Sequence, residues 1–367
     1  MISSQAIAAG RLTRLRAWMA AESIEAAYVT QPVSIAYLTG FHAEPIERLM
    51  ALVVRANGAT LIVPAIEREA AVRSALDVGV VSWRDGEDPY ALVRDGLEGL
   101  RHIAVEKDHV TLKTFESLQA LVGVGELADV AGQIRQLRRT KNAAELENLR
   151  RAAEVTDRAT AQVMDRIRLG QSELAVADMI ASAISSAGGT LAFESLVQFG
   201  PNSALPHHRP SDRSLQAGDL VLLDFGAAYD GYRADTTRMA VAGDPNPLQK
   251  ELHRVVLDAH DAAVDAVRAG VTAGSVDAAA RGVIDTHHWS DKFIHRTGHG
   301  LGLEAHEDPS LEPGATLVLE AGMVATIEPG IYMEGWGGVR IEDDVVVEAA
   351  GRRLLTQADR SLRVITG

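Results

Sequence analysis

The residues of this chain best suited to chemistry are acids and histidines set on strand-like runs. The first pair lies in Asp219-Leu-Val-Leu-Leu-Asp-Phe-Gly-Ala-Ala-Tyr-Asp-Gly-Tyr-Arg-Ala-Asp-Thr-Thr-Arg-Met-Ala-Val241. Two apolar runs flank Asp230-Gly231, a strong short-range hairpin signal. With Asp230 and Gly231 as the loop, Tyr229 pairs with Tyr232 and Asp224 with Thr237, which puts Asp235 on the face of Asp224. The two carboxylates become diagonal neighbours with backbones about 7–8 Å apart, near enough to share a cation. The run Leu220-Val-Leu-Leu223 predicts burial on both faces. A lone buried carboxylate is costly, so a partner is expected, either a cation or an arginine such as Arg233 or Arg238.

A second set follows in His295-Arg-Thr-Gly-His-Gly-Leu-Gly-Leu-Glu-Ala-His306, three histidines among glycines that let backbone and ligand approach closely. Met323-Val-Ala-Thr-Ile-Glu-Pro-Gly-Ile-Tyr332 reads as a strand stopped at Pro329-Gly330, with Glu328 at its end. A last hairpin turns through Glu334-Gly-Trp-Gly-Gly338 into Val339-Arg-Ile-Glu-Asp-Asp-Val-Val-Val347, where strand alternation puts Arg340, Glu342 and Asp344 on one face. Asp224, Asp235, Glu328 and Glu342 with His299 make four carboxylates and one imidazole, a donor set suited to Mn²⁺, Co²⁺ or Zn²⁺. The chain has no cysteine, which excludes disulfides, thiolate ligands and a cysteine nucleophile.

Those residues need elements to position them. At 367 residues with 47% hydrophobic content the chain is expected to build two cores. From Arg11 to about Gln133, helical stretches alternate with short apolar runs such as Ala51–Val54, Thr60–Val63 and His102–Val105, the pattern of a small α/β domain. Asn142 with Glu145 forms a capping-box signature opening a helix from Ala143 to Leu169, stopped at Gly170. Further helices are predicted over Glu173–Ala187, from Asn246 as cap with Pro247 to about Ala269, and over Val276–His287. With the strands between and after them, the second part reads as α+β. The net charge of -14 makes nucleic acid a poor partner. Met1–Gly10 lacks a basic stretch followed by an apolar one, and no window reaches the roughly 18 apolar residues of a membrane span, so neither export nor anchoring is expected.

At the quoted motifs the sequence resembles the M24 peptidase family with the pita-bread fold, specifically its Xaa-Pro branch of prolidases and aminopeptidase P. The resemblance implies a creatinase-type α/β N-terminal domain over 1–133 and an α+β pita-bread catalytic domain over 134–367. Ser34-Ile-Ala-Tyr-Leu-Thr-Gly-Phe41 and Arg139-Thr-Lys141 with Glu145 resemble that N-terminal domain and its linker. It further implies that Asp224 chelates one metal, that Asp235 and Glu342 bridge both, and that His299 and Glu328 complete the other metal's shell. His207, His306 and Arg340 match the supporting catalytic residues, with His208 as a bystander. His295 and Tyr332 resemble the wall of a proline pocket, and Phe193 is a weaker candidate for it.

The reaction so implied is hydrolysis of the bond between an N-terminal residue and a following proline. Two metal ions, manganese foremost, bring the pKa of a bridging water toward about 7 and provide the hydroxide nucleophile. Glu328 is then the expected proton shuttle, and His207 and His306 stabilise the oxyanion and handle protons. The expected protein is a cytoplasmic homodimer acting on peptides with proline at the second position. Methionine aminopeptidases use the same ligand types, and a non-catalytic peptide-binding pita-bread module is the reading from another class.

Overall fold

The computed structural model describes residues 4–42, 47–122 and 127–366. The chain divides into two compact units, Met1–Arg138 and Arg139–Gly367.

The first unit is built on a mixed six-stranded sheet. Its spatial order is Gly79–Trp83, Gly58–Pro64, Ala51–Arg55, Ala26–Val29, Ile103–Val105 and Ala128–Asp129. The central strand Ala26–Val29 is buried at every position, as a strand covered on both faces must be. Tyr28, Val53, Ile62, Val93, Leu97 and Leu118 share one core. Local chemistry starts the helices here: the Asp88 side chain accepts from the Tyr90 N–H, with Pro89 at the first helical position.

In the second unit two helix pairs are built alike. Ala143–Arg166 is followed by Glu173–Ser186, and Pro247–Ala266 by Ala273–Thr286. Each long helix opens with a capping box, Asn142 with Glu145 and Asn246 with Gln249, which satisfies otherwise orphaned N–H groups. In each connection a glycine takes a left-handed conformation, Gly170 at φ +81° and Gly270 at φ +89°. Ser172 and Thr272 then cap the second helices.

Between the helix pairs lies a four-stranded sheet in the order Arg363–Ile365, Thr236–Ala242, Leu220–Phe225 and Leu196–Phe199. Its central strand feeds two cores. Val221, Leu223 and Phe225 cluster with Val155, Ala159 and Ile180 of the first pair, while Leu220 and Leu222 cluster with Val255 and Val256 of the second. The predicted hairpin register is the observed one, Tyr229 opposite Tyr232 and Asp224 opposite Thr237.

A five-stranded sheet, in the order Glu307–Leu311, Gly298–Gly300, Val324–Ile327, Asp343–Glu348 and Gly351–Leu354, supplies the other half of the site. One expectation is corrected here. The run from Val339 to Val347 is not a single strand: Gly337–Arg340 pairs with Gly330–Met333 in a sheet of two, and Asp343–Glu348 joins the sheet of five. Glu342 sits at the crossing, bridged to Thr237 of the four-stranded sheet. A chain serving two sheets must break its ladder where it passes between them, and the break puts a carboxylate beside both.

Candidate metal centre

Ligand atoms of Asp235, His299 and Glu342, all buried, lie within 4.8 Å of one another. The hairpin delivers Asp235 through a close approach of its strands. A Cβ on Gly226 would stand 1.7 Å from the Ala234 carbonyl oxygen and 3.3 Å from the Asp235 Cα, so only glycine permits the pinch. Gly298, beside His299, is held in the same way, since a Cβ there would lie 1.9 Å from the Thr326 carbonyl oxygen.

The acids are crowded. Burial first, and then the charges of Glu342, Asp224 and Asp344, raise the Asp235 carboxyl well above the usual range. Glu342 is likewise raised well above its usual range by burial, then by Glu328 and Asp224. Asp344 accepts the Asp235 N–H at 2.9 Å and thereby fixes the backbone that carries this carboxylate. Asp235 Oδ1 is buried without a hydrogen-bond partner among the described residues. A buried oxygen left so, among like charges, is the environment a divalent cation satisfies.

The histidine side of the site agrees. His299 Nδ1 lies 3.1 Å from the Gly300 carbonyl, to which it can only donate, while Nε2 stands 3.2 Å from Glu328 Oε1. In a neutral ring that second contact sets one lone pair against another, so a proton or a cation must lie there. Burial works to raise the Glu328 carboxyl, but the hydrogen bond and charge of His299, with His295 and Arg340, draw it down to about 2. Thr326 Oγ1 receives the His299 N–H at 3.0 Å and donates to Glu328 Oε1 at 3.3 Å, and so links the two residues. The donor set, four carboxylates and one imidazole, fits a hard or borderline divalent ion.

Asp224 has an arginine partner, but neither of those beside it on the hairpin. Arg238 is spent on Asp343 and on the carbonyls of Thr237, Glu342 and Ala358, and Arg233 on the carbonyls of Leu303 and Ala192. Arg340 instead pairs with Asp224 and donates to Thr237 Oγ1 at 3.0 Å and to the Tyr332 hydroxyl at 2.8 Å. Thr237 in turn donates to Glu342 Oε2 at 2.6 Å. Burial raises the Asp224 carboxyl and Arg340 opposes it.

His295 and Tyr332 meet, with Nε2 2.9 Å from the hydroxyl oxygen. His295 Nδ1 faces the Arg296 carbonyl at 2.7 Å, so Nε2 carries the lone pair and accepts from the tyrosine. Burial lowers the His295 pKa and raises that of Tyr332 to about 12, so both are neutral. Phe293, edge-on to His295, is the aromatic neighbour of this pair. Phe193 is half-buried and makes no ring contact with the pair among the described residues.

His306 lies with its ring centroid 4.1 Å from that of His299. Loss of water about its ring, and then the charges of His299, Arg296 and His207, hold it down at about 4. His207 is exposed at the tip of a turn, whereas His208 turns toward the buried Glu173 at 3.4 Å. Sequence reasoning missed Thr237 and Thr326 as supports. Thr237 was accessible to it, because the hairpin register already placed that residue opposite Asp224.

The model of metallopeptidase family M24 matches residues 147–349, and that of the creatinase/prolidase N-terminal domain matches residues 11–140. The Xaa-Pro dipeptidase of Lactobacillus helveticus is 36% identical over 362 residues, spanning 96% of this chain and 98% of that protein. The crystal structure of dipeptidase PepE from Mycobacterium ulcerans superimposes with a TM-score of 0.91 at 40% identity, covering 100% of both chains. The prolidase from Pyrococcus horikoshii OT3 gives a TM-score of 0.91 at 33% identity, over 96% of this chain and 99% of that one. The two-domain architecture, a creatinase-type N-terminal domain followed by a pita-bread catalytic domain, is therefore that of this chain.

Proposed function

The chain belongs to metallopeptidase family M24, in its Xaa-Pro branch, and from that premise we propose that it hydrolyses the bond between an N-terminal residue and a following proline, with dipeptides as its main substrates. The observation that carries the reading is the buried convergence of Asp235, His299 and Glu342, with Asp235 Oδ1 left without a hydrogen-bond partner among the described residues. The preference for dipeptides rests on the similarity to the Xaa-Pro dipeptidase of Lactobacillus helveticus.

In this proposal Asp224, Asp235, His299, Glu328 and Glu342 hold two divalent cations, with manganese suited to so oxygen-rich a donor set. Bound there, such ions polarise the scissile carbonyl and activate water at neutral pH. Glu328 is the group proposed to take a proton and return it. His306, neutral at that pH, and His207 donate hydrogen bonds where negative charge develops on the carbonyl oxygen. Arg340 holds Asp224 and the Tyr332 hydroxyl, and Tyr332 holds His295, so this catalytic side and the proposed proline pocket move as one unit. A proline nitrogen has no N–H to recognise and its φ is fixed, so a ring-shaped pocket walled by His295 and Tyr332, with Phe193 as a lesser contributor, is the available means of selection.

The test compares Leu-Pro, Leu-Pro-Ala and Met-Ala as substrates before chelation, after it, and after manganese is restored. The expected result is preferential cleavage of Leu-Pro, with a loss of about a hundredfold or more on chelation and recovery with manganese. Preference for Met-Ala would move the chain to the methionine aminopeptidase reading. A chelated enzyme with its full rate would end the proposal.

A further inference from the structure

The turn that carries His207 has little regular structure of its own, with Pro206 before the histidine and Pro210 after it. Two buried polar side chains hold it, and the reaction uses neither. Glu173, fully buried at the first position of the helix Glu173–Ser186, accepts from the Phe199 N–H at 2.8 Å, Asn202 Nδ2 at 2.9 Å, the Ser211 N–H at 3.0 Å and Ser211 Oγ at 2.6 Å. His208 Nε2 is a fifth neighbour at 3.4 Å. Gln198, also fully buried, donates through Nε2 to the carbonyls of Leu205 and His208, each at 3.0 Å, and of Pro206 at 3.4 Å. One carboxylate thus gathers the N–H and hydroxyl groups at the two ends of the segment, and one amide gathers the carbonyls on either side of His207.

We propose that Glu173, assisted by Gln198, is the positioning residue for His207, fixing the turn so that the imidazole points to the substrate side while His208 is turned inward. This rests on the reading of His207 as a substrate-facing group. The chemistry is specific to a carboxylate. Its two oxygens take four donors, whereas the amide of Glu173→Gln has one accepting oxygen and an NH₂ that would oppose donors already aimed at it. An imidazole displaced by about 1 Å can cost up to about a hundredfold in rate.

The test is a double-mutant cycle on the metal-loaded enzyme, with kcat and KM for Leu-Pro and metal content measured for Glu173→Gln, His207→Ala and both together. Expected is a fall in kcat/KM of about tenfold or more for Glu173→Gln at unchanged metal content, and almost no further loss when it is added to His207→Ala. A purely structural role would give the same loss in both backgrounds, and that additivity overturns the inference, as does a Glu173→Gln enzyme with unaltered kcat/KM. Should Glu173→Gln not fold, Ser211→Ala, which removes the 2.6 Å bond to Glu173 and the 3.2 Å bond that Ser211 Oγ accepts from the Arg213 N–H, serves in the same cycle under the same criteria. A His207→Ala enzyme with full activity would overturn the reading of His207 itself, and this inference with it.

Discussion

Asp235, Glu342 and Asp224 occupy a space in which burial raises every carboxyl, and among the described residues Arg340 forms an ion pair with Asp224 and also draws down Glu342. The sign of the consequence follows from linkage. A carboxyl whose folded pKa lies above its unfolded value stabilises the fold below the unfolded pKa, and that contribution is lost as pH rises through the folded pKa. The protein freed of cations should therefore lose stability from this source as pH rises through the window above the ordinary carboxyl range. Glu328, lowered to about 2, has the opposite sign and acts below that window. Cations take the place of the protons, so the rise in melting temperature on adding manganese should grow across the same range. Melting curves with and without chelator at several pH values check it, and a gap that does not change with pH would show that these acids do not share the cation.

At the level of elements, the hairpin is the part of the site most open to reading from sequence, because a two-residue Asp-Gly loop fixes register and register fixes faces. That gave the pairing of Asp224 with Thr237 and the capped helices on either side. The partner of Asp224 was not legible in the same way. Sequence proximity offered Arg233 and Arg238, whereas the guanidinium that reaches it comes from Arg340, 116 residues away, on a strand whose break between two sheets no local pattern announces. Gly226 shows how element and site depend on each other. Gly226→Ala should cost about 1–3 kcal/mol, as overpacking against a backbone carbonyl does, and should also weaken cation binding by spreading Asp224 from Asp235. Asn142→Ala, which removes a distant cap, should cost about 1 kcal/mol and leave cation affinity unchanged. Urea denaturation and metal titration of both variants separate the two effects; equal metal affinity in both would deny the hairpin its positioning role.

On the scale of the whole molecule, every proposed ligand from Asp224 to Glu342 belongs to the second compact unit, Arg139–Gly367, while the first has a sheet and a core of its own. Cation binding stabilises only the state that contains the site, by RT ln(1 + [L]/Kd), or about 4 kcal/mol at a thousand times Kd. For a unit of this size that corresponds to a rise of about 10 °C in its midpoint. Calorimetry should then resolve two transitions, of which manganese raises one and leaves the other in place, and Glu342→Gln should remove the shift without touching the unresponsive transition. A single transition that moves as a whole with manganese would mean instead that the two units unfold together, so that the N-terminal unit shares in the binding energy of a site to which it contributes none of the proposed ligands.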